Sequence, residues 1–143
     1  MKTGALLFAG AMSVAGAALA AGPVIEIYQR EGCGCCGLWA GHLESNGLKT
    51  RSNVVEEVSI VRGSSGIPES LGSCHVAFIG GYAIEGHVPA SAIKRLLKEK
   101  PDAAGVAVAG MPAGSPGMES AGKVPYEVLL VLKDGSTRVY SRH

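Results

Sequence analysis

Hydrophobic and polar positions in the first third of the chain change from a strand-like to a helical pattern around a turn rich in glycine and cysteine. The β-branched run Val24–Tyr28 predicts a strand, which glycines then interrupt. From Cys36 onwards the spacing is helical, because Trp39 and Leu43 lie four residues apart, and Gly47 marks the end of this helix. A weaker strand and a short helix are predicted next, at Leu48–Val55 and Glu56–Arg62.

The second half of the chain predicts two hairpins with a helix and a loop between them. Two strand runs, His75–Ile79 and Tyr82–Glu85, flank a glycine pair that is typical of a tight turn. The amphipathic segment 88–101 predicts a helix, with Pro89 near its first position and Pro101 at its stop. The remaining predicted segments are a loop and a second hairpin with an Asp-Gly turn, at Gly105–Gly122 and Tyr126–Ser141.

The order of these elements predicts the fold. It runs strand, helix, strand, helix, hairpin, helix and final hairpin. Cys33 and Cys36 have C-x-x-C spacing between the first strand and the first helix, which is the thioredoxin-like arrangement. We therefore predict an α/β, thioredoxin-like fold, in which helices flank a central mixed sheet that carries an extra C-terminal β-hairpin.

The N-terminal segment predicts export. Residues 1–20 combine Lys2, a small apolar run and Ala18-Leu19-Ala20, which is the pattern of a signal peptide with its cleavage site. Glycines break the apolar run, and a membrane span needs about 20 strongly apolar residues, so an uncleaved anchor is the less favoured alternative. We expect one domain, residues 21–143, to remain after cleavage, with no membrane attachment and in a compartment where disulfides persist.

The overall charge argues against some classes of partner. The chain has 13 Lys and Arg residues against 12 Asp and Glu residues, and removal of residues 1–20 takes away one lysine. A balanced charge without a basic run does not favour nucleic acid or an anionic membrane surface. The sequence also contains no nucleophile elbow, phosphate loop or dinucleotide fingerprint.

The three cysteines at the predicted turn, Cys33, Cys35 and Cys36, indicate metal chemistry. A helix N-terminus favours the thiolate, which is the nucleophile and the metal ligand. Disulfide exchange needs two thiols, so Cys35 is unexplained by that reaction, whereas several thiolates can share a soft ion such as Cu(I) or Zn(II). Structural disulfides and a structural zinc site are the alternatives, although only one C-x-x-C pair is present.

The fourth cysteine, Cys74, is expected to meet this turn. In a thioredoxin-like sheet the start of the central strand lies against the C-x-x-C turn, with a proline just before it. Pro68 precedes Cys74 by several residues, and these extra residues could form a turn that carries Cys74 inward.

Other soft ligands are candidates for the same site. Met111 and Met118 lie in a Gly/Pro-rich loop, where a thioether could hold Cu(I), and His87 precedes the predicted helix. Strand alternation predicts that His75 points away from Cys74, and His42 is expected to be exposed or hydrogen-bonded. Four carboxylates are expected on solvated faces, those of Glu26, Glu56, Glu57 and Glu85.

Three segments together resemble one family: CGCCGLWAGHL, GIPESLGSCHVAFIGGYAIEGHVPASAIKRLL and GVAVAGMPAGSPGME. They are similar to the CopG-type periplasmic copper-resistance proteins, from about Tyr28 to Tyr140. The resemblance implies a thioredoxin-like domain in the periplasm with a cysteine-bridged, multinuclear copper cluster and a role in copper tolerance, including interconversion of Cu(I) and Cu(II). Matched position by position, it implies ligands at Cys33, Cys35, Cys36, Cys74, Met111 and Met118.

The leading hypothesis is therefore a periplasmic copper-binding protein whose thiolates hold Cu(I), with Met111, Met118 and His87 completing or covering the site. Its partners would be copper ions and other periplasmic proteins that handle copper or transfer electrons. Whether it is an enzyme, a copper oxidoreductase, stays open. The alternatives are a thiol–disulfide oxidoreductase that uses Cys33 and Cys36 as its redox pair and a copper metallochaperone without redox activity.

Overall fold

The computed structural model describes residues 22–143, so the predicted signal peptide, residues 1–20, lies outside the described part of the chain. Seven strands are found there, β1 to β7 in chain order: Val24–Gln29, Lys49–Val54, His75–Ile79, Tyr82–Glu85, Gly105–Ala107, Glu127–Val131 and Thr137–Arg142. Three α-helices, α1 to α3, span Gly34–Ser45, Val58–Gly63 and Ala90–Glu99. Two short 3₁₀ helices cover Glu69–Leu71 and Glu119–Ala121.

The seven strands form one mixed sheet in the order β2-β1-β3-β4-β5-β6-β7. Strands β1 and β2 are parallel, while β3 is antiparallel to both of its neighbours, β1 and β4. This four-stranded part has the thioredoxin-like order that the sequence predicts. The final hairpin, β6 and β7, extends the same sheet instead of forming a separate layer.

The predicted loop Gly105–Gly122 is wrong at its start, because Gly105–Ala107 forms β5 between β4 and β6. All three residues are buried, so the alternation that reveals a half-exposed strand is missing. A side chain at Gly105 would collide with the backbone of Ala83 on β4. The glycine that suggests a loop in the sequence is thus needed for close pairing of two strands.

Neighbouring residues on the strands point to opposite faces of the sheet and divide its core in two. The larger cluster includes Ile84 and Val106 with Trp39 and Leu43 of α1 and Ile93 of α3. The smaller cluster, on the other face, contains Ile67, Ala83, Ala107 and Val131. None of the helices within residues 22–143 combines the length and the apolar character needed to cross a membrane.

Candidate metal centre

The three clustered cysteines lie where β1 gives way to α1. Cys33 is the N-cap residue of the helix, and Cys35 and Cys36 belong to its first turn. Cys33 and Cys36 are joined by a disulfide, with their Cα atoms 5.3 Å apart, which is within the ordinary range for such a bridge. Cys35 and Cys74 are free thiols.

Cys74 reaches this turn as the fold argument expects. The 3₁₀ helix Glu69–Leu71 fills the interval after Pro68 and returns the chain to the start of β3. The Sγ atom of Cys74 lies 3.5 Å from that of Cys35 and 3.6 Å from that of Cys36, and 3.7 Å separates the sulfurs of Cys33 and Cys35. Two sulfurs bound tetrahedrally at about 2.3 Å from one ion, the Zn–S value, would be about 3.8 Å apart. The sulfurs are therefore already close to the spacing that a shared metal ion requires.

Two buried histidines direct ring nitrogens at Cys74. His87 Nε2 and His75 Nδ1 each lie 3.6 Å from its sulfur. The remaining ring nitrogens donate to backbone carbonyls, His87 Nδ1 to Pro116 at 2.8 Å and His75 Nε2 to Gly86 at 3.0 Å. Because a carbonyl only accepts, these bonds leave an unprotonated nitrogen on each neutral imidazole facing Cys74.

The expectation that His75 points away from Cys74 is wrong. Cys74 precedes β3, so the strict alternation of a strand does not apply to the step from Cys74 to His75. The His75 ring packs on Trp39, with their centroids 4.3 Å apart, and the Trp39 indole donates to the carbonyl of Val88 at 2.8 Å. These contacts hold His75 in the core with one nitrogen at the cysteine cluster.

The pKa shifts favour the neutral forms of Cys74, His75 and His87 without metal. Burial, together with the hydrogen bond to Cys35, raises the pKa of the Cys74 thiol to about 12. Burial, with a smaller contribution from the neighbouring His87, lowers the pKa of His75 to about 3. Burial also lowers the pKa of His87. A single thiol proton on Cys74 therefore faces two imidazole lone pairs and can be donated to one of them at a time. A metal cation in place of that proton could bind both imidazole nitrogens at the same time.

The methionine loop, residues 111–118, lies against the start of α1. Its position is set by the bond from His87 to Pro116 and by close packing at Gly117. A Cβ atom on Gly117 would lie only 2.8 Å from the carbonyl oxygen of Cys35 and 3.0 Å from the Trp39 amide nitrogen. Met118 is half-buried next to this contact, whereas Met111 is 50% exposed. Met118 thus directly follows the glycine that packs against the first turn of α1, and it is less exposed than Met111.

Arg62 and Glu85 hold the residue before Cys74. Glu85 is buried, so the prediction that it lies on a solvated face is wrong; Glu56 and Glu57 are exposed and Glu26 is partly exposed. The Glu85 carboxylate accepts from Arg62 Nε at 2.8 Å and from the Ser73 amide at 2.7 Å. Arg62 Nη2 in turn donates to the Ser73 carbonyl at 2.7 Å. No local sequence pattern indicates this pairing, because the two charged residues are far apart along the chain.

His42 does not belong to the cysteine cluster. Its Nε2 atom accepts a hydrogen bond of 3.1 Å from the amide of Ala90, the first residue of α3. The expectation of a hydrogen-bonded histidine is therefore confirmed, and the bond ties α1 to the segment that follows His87.

A cavity of about 390 Å³ opens beside the cluster. Cys33 and Cys74 are part of its wall, together with Arg30, Glu31 and Glu57. Arg30 and Glu57 form an exposed ion pair with an N–O distance of 2.9 Å. This cavity leaves a route from solvent to two of the four sulfurs.

Comparison with known proteins relates the chain to copper resistance. Two solved structures, described as copper resistance protein CopG, form 1 and form 2, are each 41% identical to it. The match covers 84% of this chain and 96% of form 1, with a TM-score of 0.79, and 85% of this chain and 98% of form 2, with a TM-score of 0.80. The chain belongs to the CopG-type copper-resistance family. No curated protein matches it.

A family described as "Protein of unknown function, DUF411" matches residues 71–118. Within the CopG-type fold this segment carries Cys74, both buried histidines and the methionine loop. The C-x-C-C turn lies before the segment in sequence and next to it in space. The CopG-type chain thus assembles its candidate metal centre from two separate parts. Every cysteine and His87 are ligands that the sequence predicts, whereas the contact of His75 with Cys74 is not predicted by the sequence.

Proposed function

We propose that the protein is a copper-binding protein of bacterial copper resistance that holds Cu(I) at the cysteine cluster. The observation that carries this proposal is the convergence of four sulfurs, in contacts of 3.5 to 3.7 Å, at the point where His75 and His87 direct unprotonated nitrogens. Thiolates are soft ligands that suit Cu(I), and imidazole binds copper as well. Similarity to structures named for copper resistance supports copper over zinc.

The arrangement of donors favours more than one copper ion. Cys33, Cys35, Cys36 and Cys74 form one group of potential ligands, and Cys74, His75 and His87 form another. Cys74 belongs to both groups and would bridge them. Met118 would add a thioether from the docked loop, and the more exposed Met111 would act at the edge of the site. A bridged, multinuclear cluster can also change its oxidation state, so interconversion of Cu(I) and Cu(II) is part of the proposal.

The place of action is proposed from the sequence. Residues 1–20 would direct export, and residues 21–143 would work in the periplasm, where copper-handling or electron-transfer proteins would be the partners. The cavity beside Cys33 and Cys74 would give such partners, or a copper ion, access to the cluster.

Anaerobic titration of the fully reduced protein with Cu(I), against a competing chelator, tests the proposal. We expect more than one tightly held copper ion per chain and a lower stoichiometry in Cys35→Ser and Cys74→Ser. His42→Phe is the matched control, because His42 is close in sequence to the cluster but bonds to Ala90. Weak binding by the wild-type protein, or unchanged stoichiometry in both cysteine variants, would contradict a shared thiolate cluster.

The Cys33–Cys36 disulfide favours a second candidate, a thiol–disulfide oxidoreductase. This function needs only the two bridged cysteines, so reduction of insulin disulfides would persist in Cys35→Ser and Cys74→Ser. Copper binding would fall in the same variants if the first proposal holds. A metallochaperone without redox activity would bind Cu(I) and transfer it to an acceptor with no change of oxidation state.

A further inference from the structure

The four cysteines are not equivalent in the structure. Cys33 and Cys36 are bridged, while Cys35 and Cys74 remain thiols with their sulfurs 3.5 Å apart. Resting on the proposed copper function, we propose that the cysteines divide two tasks. Cys33 and Cys36 deliver two electrons to Cu(II), and Cys35 and Cys74, with the two histidines, hold one Cu(I) after the disulfide has formed.

The two histidines of the holding site are oriented independently of the bridged pair. His75 and His87 are oriented from behind by the carbonyls of Gly86 and Pro116, and neither carbonyl belongs to the cysteine turn. Both unprotonated nitrogens lie 3.6 Å from Cys74, which in turn lies next to Cys35. Two thiolates and up to two imidazoles therefore remain available for one soft ion when Cys33 and Cys36 are oxidised.

The electron balance is complete with Cu(II) as the oxidant. Two Cu(II) ions each accept one electron, the thiolates of Cys33 and Cys36 lose one electron each, and the S–S bond forms between them. Any protons still on these thiols pass to water. The products are two Cu(I) ions and one disulfide, and no further reactant is needed for a single turnover. Because the oxidised protein keeps one set of donors, one Cu(I) stays and the other leaves.

The cavity supplies the approach for Cu(II). Cys33 lines it, together with Glu31 and the exposed ion pair of Arg30 and Glu57. Cys36 is buried, so an ion arriving from solvent meets Cys33 first. The partly exposed member of the redox pair thus faces the route by which the oxidant enters.

The test adds aqueous Cu(II) without oxygen to the copper-free, fully reduced protein. We expect the electron paramagnetic resonance signal of two Cu(II) ions per chain to disappear and the free thiols to fall from four to two. Peptide mapping by mass spectrometry should find the bridge between Cys33 and Cys36. After desalting in the presence of a Cu(I) chelator, one Cu(I) per chain should remain bound.

Two sets of variants separate the tasks. Cys33→Ser and Cys36→Ser should lose the two-electron reduction. Cys35→Ser should release both Cu(I) ions to the chelator and His87→Gln should weaken retention, whereas His42→Phe, which lies outside the cluster, should keep both the reduction and the retention. A disulfide between Cys35 and Cys74 in the wild-type protein, undiminished reduction by Cys33→Ser, or loss of all Cu(I) from the oxidised wild-type protein would each overturn the inference.

Failure of this inference can be distinguished from failure of the copper function. If the reduced protein binds Cu(I) in the direct titration but the oxidised protein retains none, the division of tasks is wrong and the copper function stands. If the reduced protein does not bind Cu(I) either, both are wrong.

Discussion

Arg62 and Glu85 form an ion pair that is buried on both sides, with 2.8 Å between Arg62 Nε and Glu85 Oε2 and side-chain exposures of 4% and 0%. Both partners also bind the backbone of Ser73, the residue before Cys74. The pair is therefore placed to fix the position of a candidate metal ligand as well as to stabilise the fold.

Removal of one partner should be strongly destabilising. We expect Glu85→Ala to lower the free energy of unfolding by about 3–5 kcal/mol, because it leaves the Arg62 charge buried without its main partner. Urea unfolding of the copper-free protein measures the change. Glu69 is the control, since it also pairs with Arg62 but has a side-chain exposure of 68%, and Glu69→Gln should cost roughly 0–1 kcal/mol. Equal losses in the two variants would contradict the assignment.

A double variant separates stability from positioning. Replacing a buried ion pair with apolar residues is often neutral, so Arg62→Met with Glu85→Leu should recover much of the lost stability. It should not recover Cu(I) affinity, because the Ser73 amide and carbonyl lose their partners. Full recovery of both stability and Cu(I) affinity would show that the ion pair stabilises the fold but does not position Cys74.

Close packing at Gly117 should make this position intolerant of any side chain. Gly117 has a φ of +89°, and its Cβ would approach the Cys35 carbonyl to 2.8 Å. Gly110, in the same region, has a φ of +67° but nothing within 4 Å of its Cβ. Both alanine variants incur the backbone cost of a left-handed residue, roughly 1 kcal/mol, and only Gly117→Ala adds the clash. We expect Gly117→Ala to lower stability by at least about 2 kcal/mol more than Gly110→Ala in urea unfolding. Similar values would show that the loop is not docked at this point.

The structural features that the sequence predicts correctly are mainly those that depend on residues close together in the chain. His75–Ile79 and Tyr82–Glu85 were predicted with their observed bounds, because apolar runs flanking a glycine pair specify a hairpin without help from the rest of the chain. The meeting of Cys74 with the C-x-C-C turn followed from fold topology. Strand β5 was not predicted, because its three residues begin with glycine, are all buried and show no alternation of apolar and polar side chains.

The histidine and carboxylate environments depended on distant partners. Glu85 is buried because Arg62 neutralises it from α2, and His75 faces Cys74 because Trp39 of α1 and the Gly86 carbonyl hold its ring. Such partners are separated by many residues, and a sequence pattern on one element does not reveal them. The alternation of side chains along a strand predicts the wrong direction for His75, because the rule was applied to Cys74, which lies one residue before β3.

The bond between His42 and Ala90 should make stability depend on pH. Burial lowers the pKa of His42, so the folded protein binds this proton less readily than the unfolded chain, whose pKa is near 6.5. The stabilising bond is fully present above about pH 6.5 and is lost as the pH falls through the lowered pKa of the folded state. We expect wild type to exceed His42→Phe by about 1 kcal/mol at pH 7.5 and the difference to shrink steadily below pH 6.5. Urea unfolding of both proteins between pH 7.5 and 5 checks this. A difference that stays constant across the range would exclude His42 as the titrating group.

The two loop methionines should contribute unequally to copper binding. Met118 is half-buried beside Gly117, which packs on Cys35, whereas Met111 is 50% exposed. We expect Met118→Leu to weaken Cu(I) binding about tenfold, equivalent to roughly 1.4 kcal/mol, and Met111→Leu to weaken it less. Leucine keeps the volume and removes the thioether, so each variant is the other's control. Chelator competition gives the affinities, and an equal or reversed order would assign the ligand to Met111.

Trp39 should report occupation of the site. It is the single tryptophan of the chain, is fully buried and packs on the ring of His75, which faces Cys74. Only the imidazole of His75 would separate the Trp39 indole from a copper ion bound to Cys74 and the histidines. We therefore expect the Trp39 fluorescence to fall as Cu(I) is added and to level off at the stoichiometric point.

His75→Phe tests whether the change in Trp39 fluorescence depends on metal binding by His75. The variant keeps an aromatic ring against Trp39 but has no nitrogen for the metal. We expect it to retain native emission without copper and to show a smaller decrease when Cu(I) is added. Stoichiometry measured by metal analysis in the same samples distinguishes lost binding from lost quenching. If His75→Phe shows the full decrease with wild-type stoichiometry, copper is held by the sulfurs and His87 without His75, and the role of His75 is to pack Trp39 against the sheet.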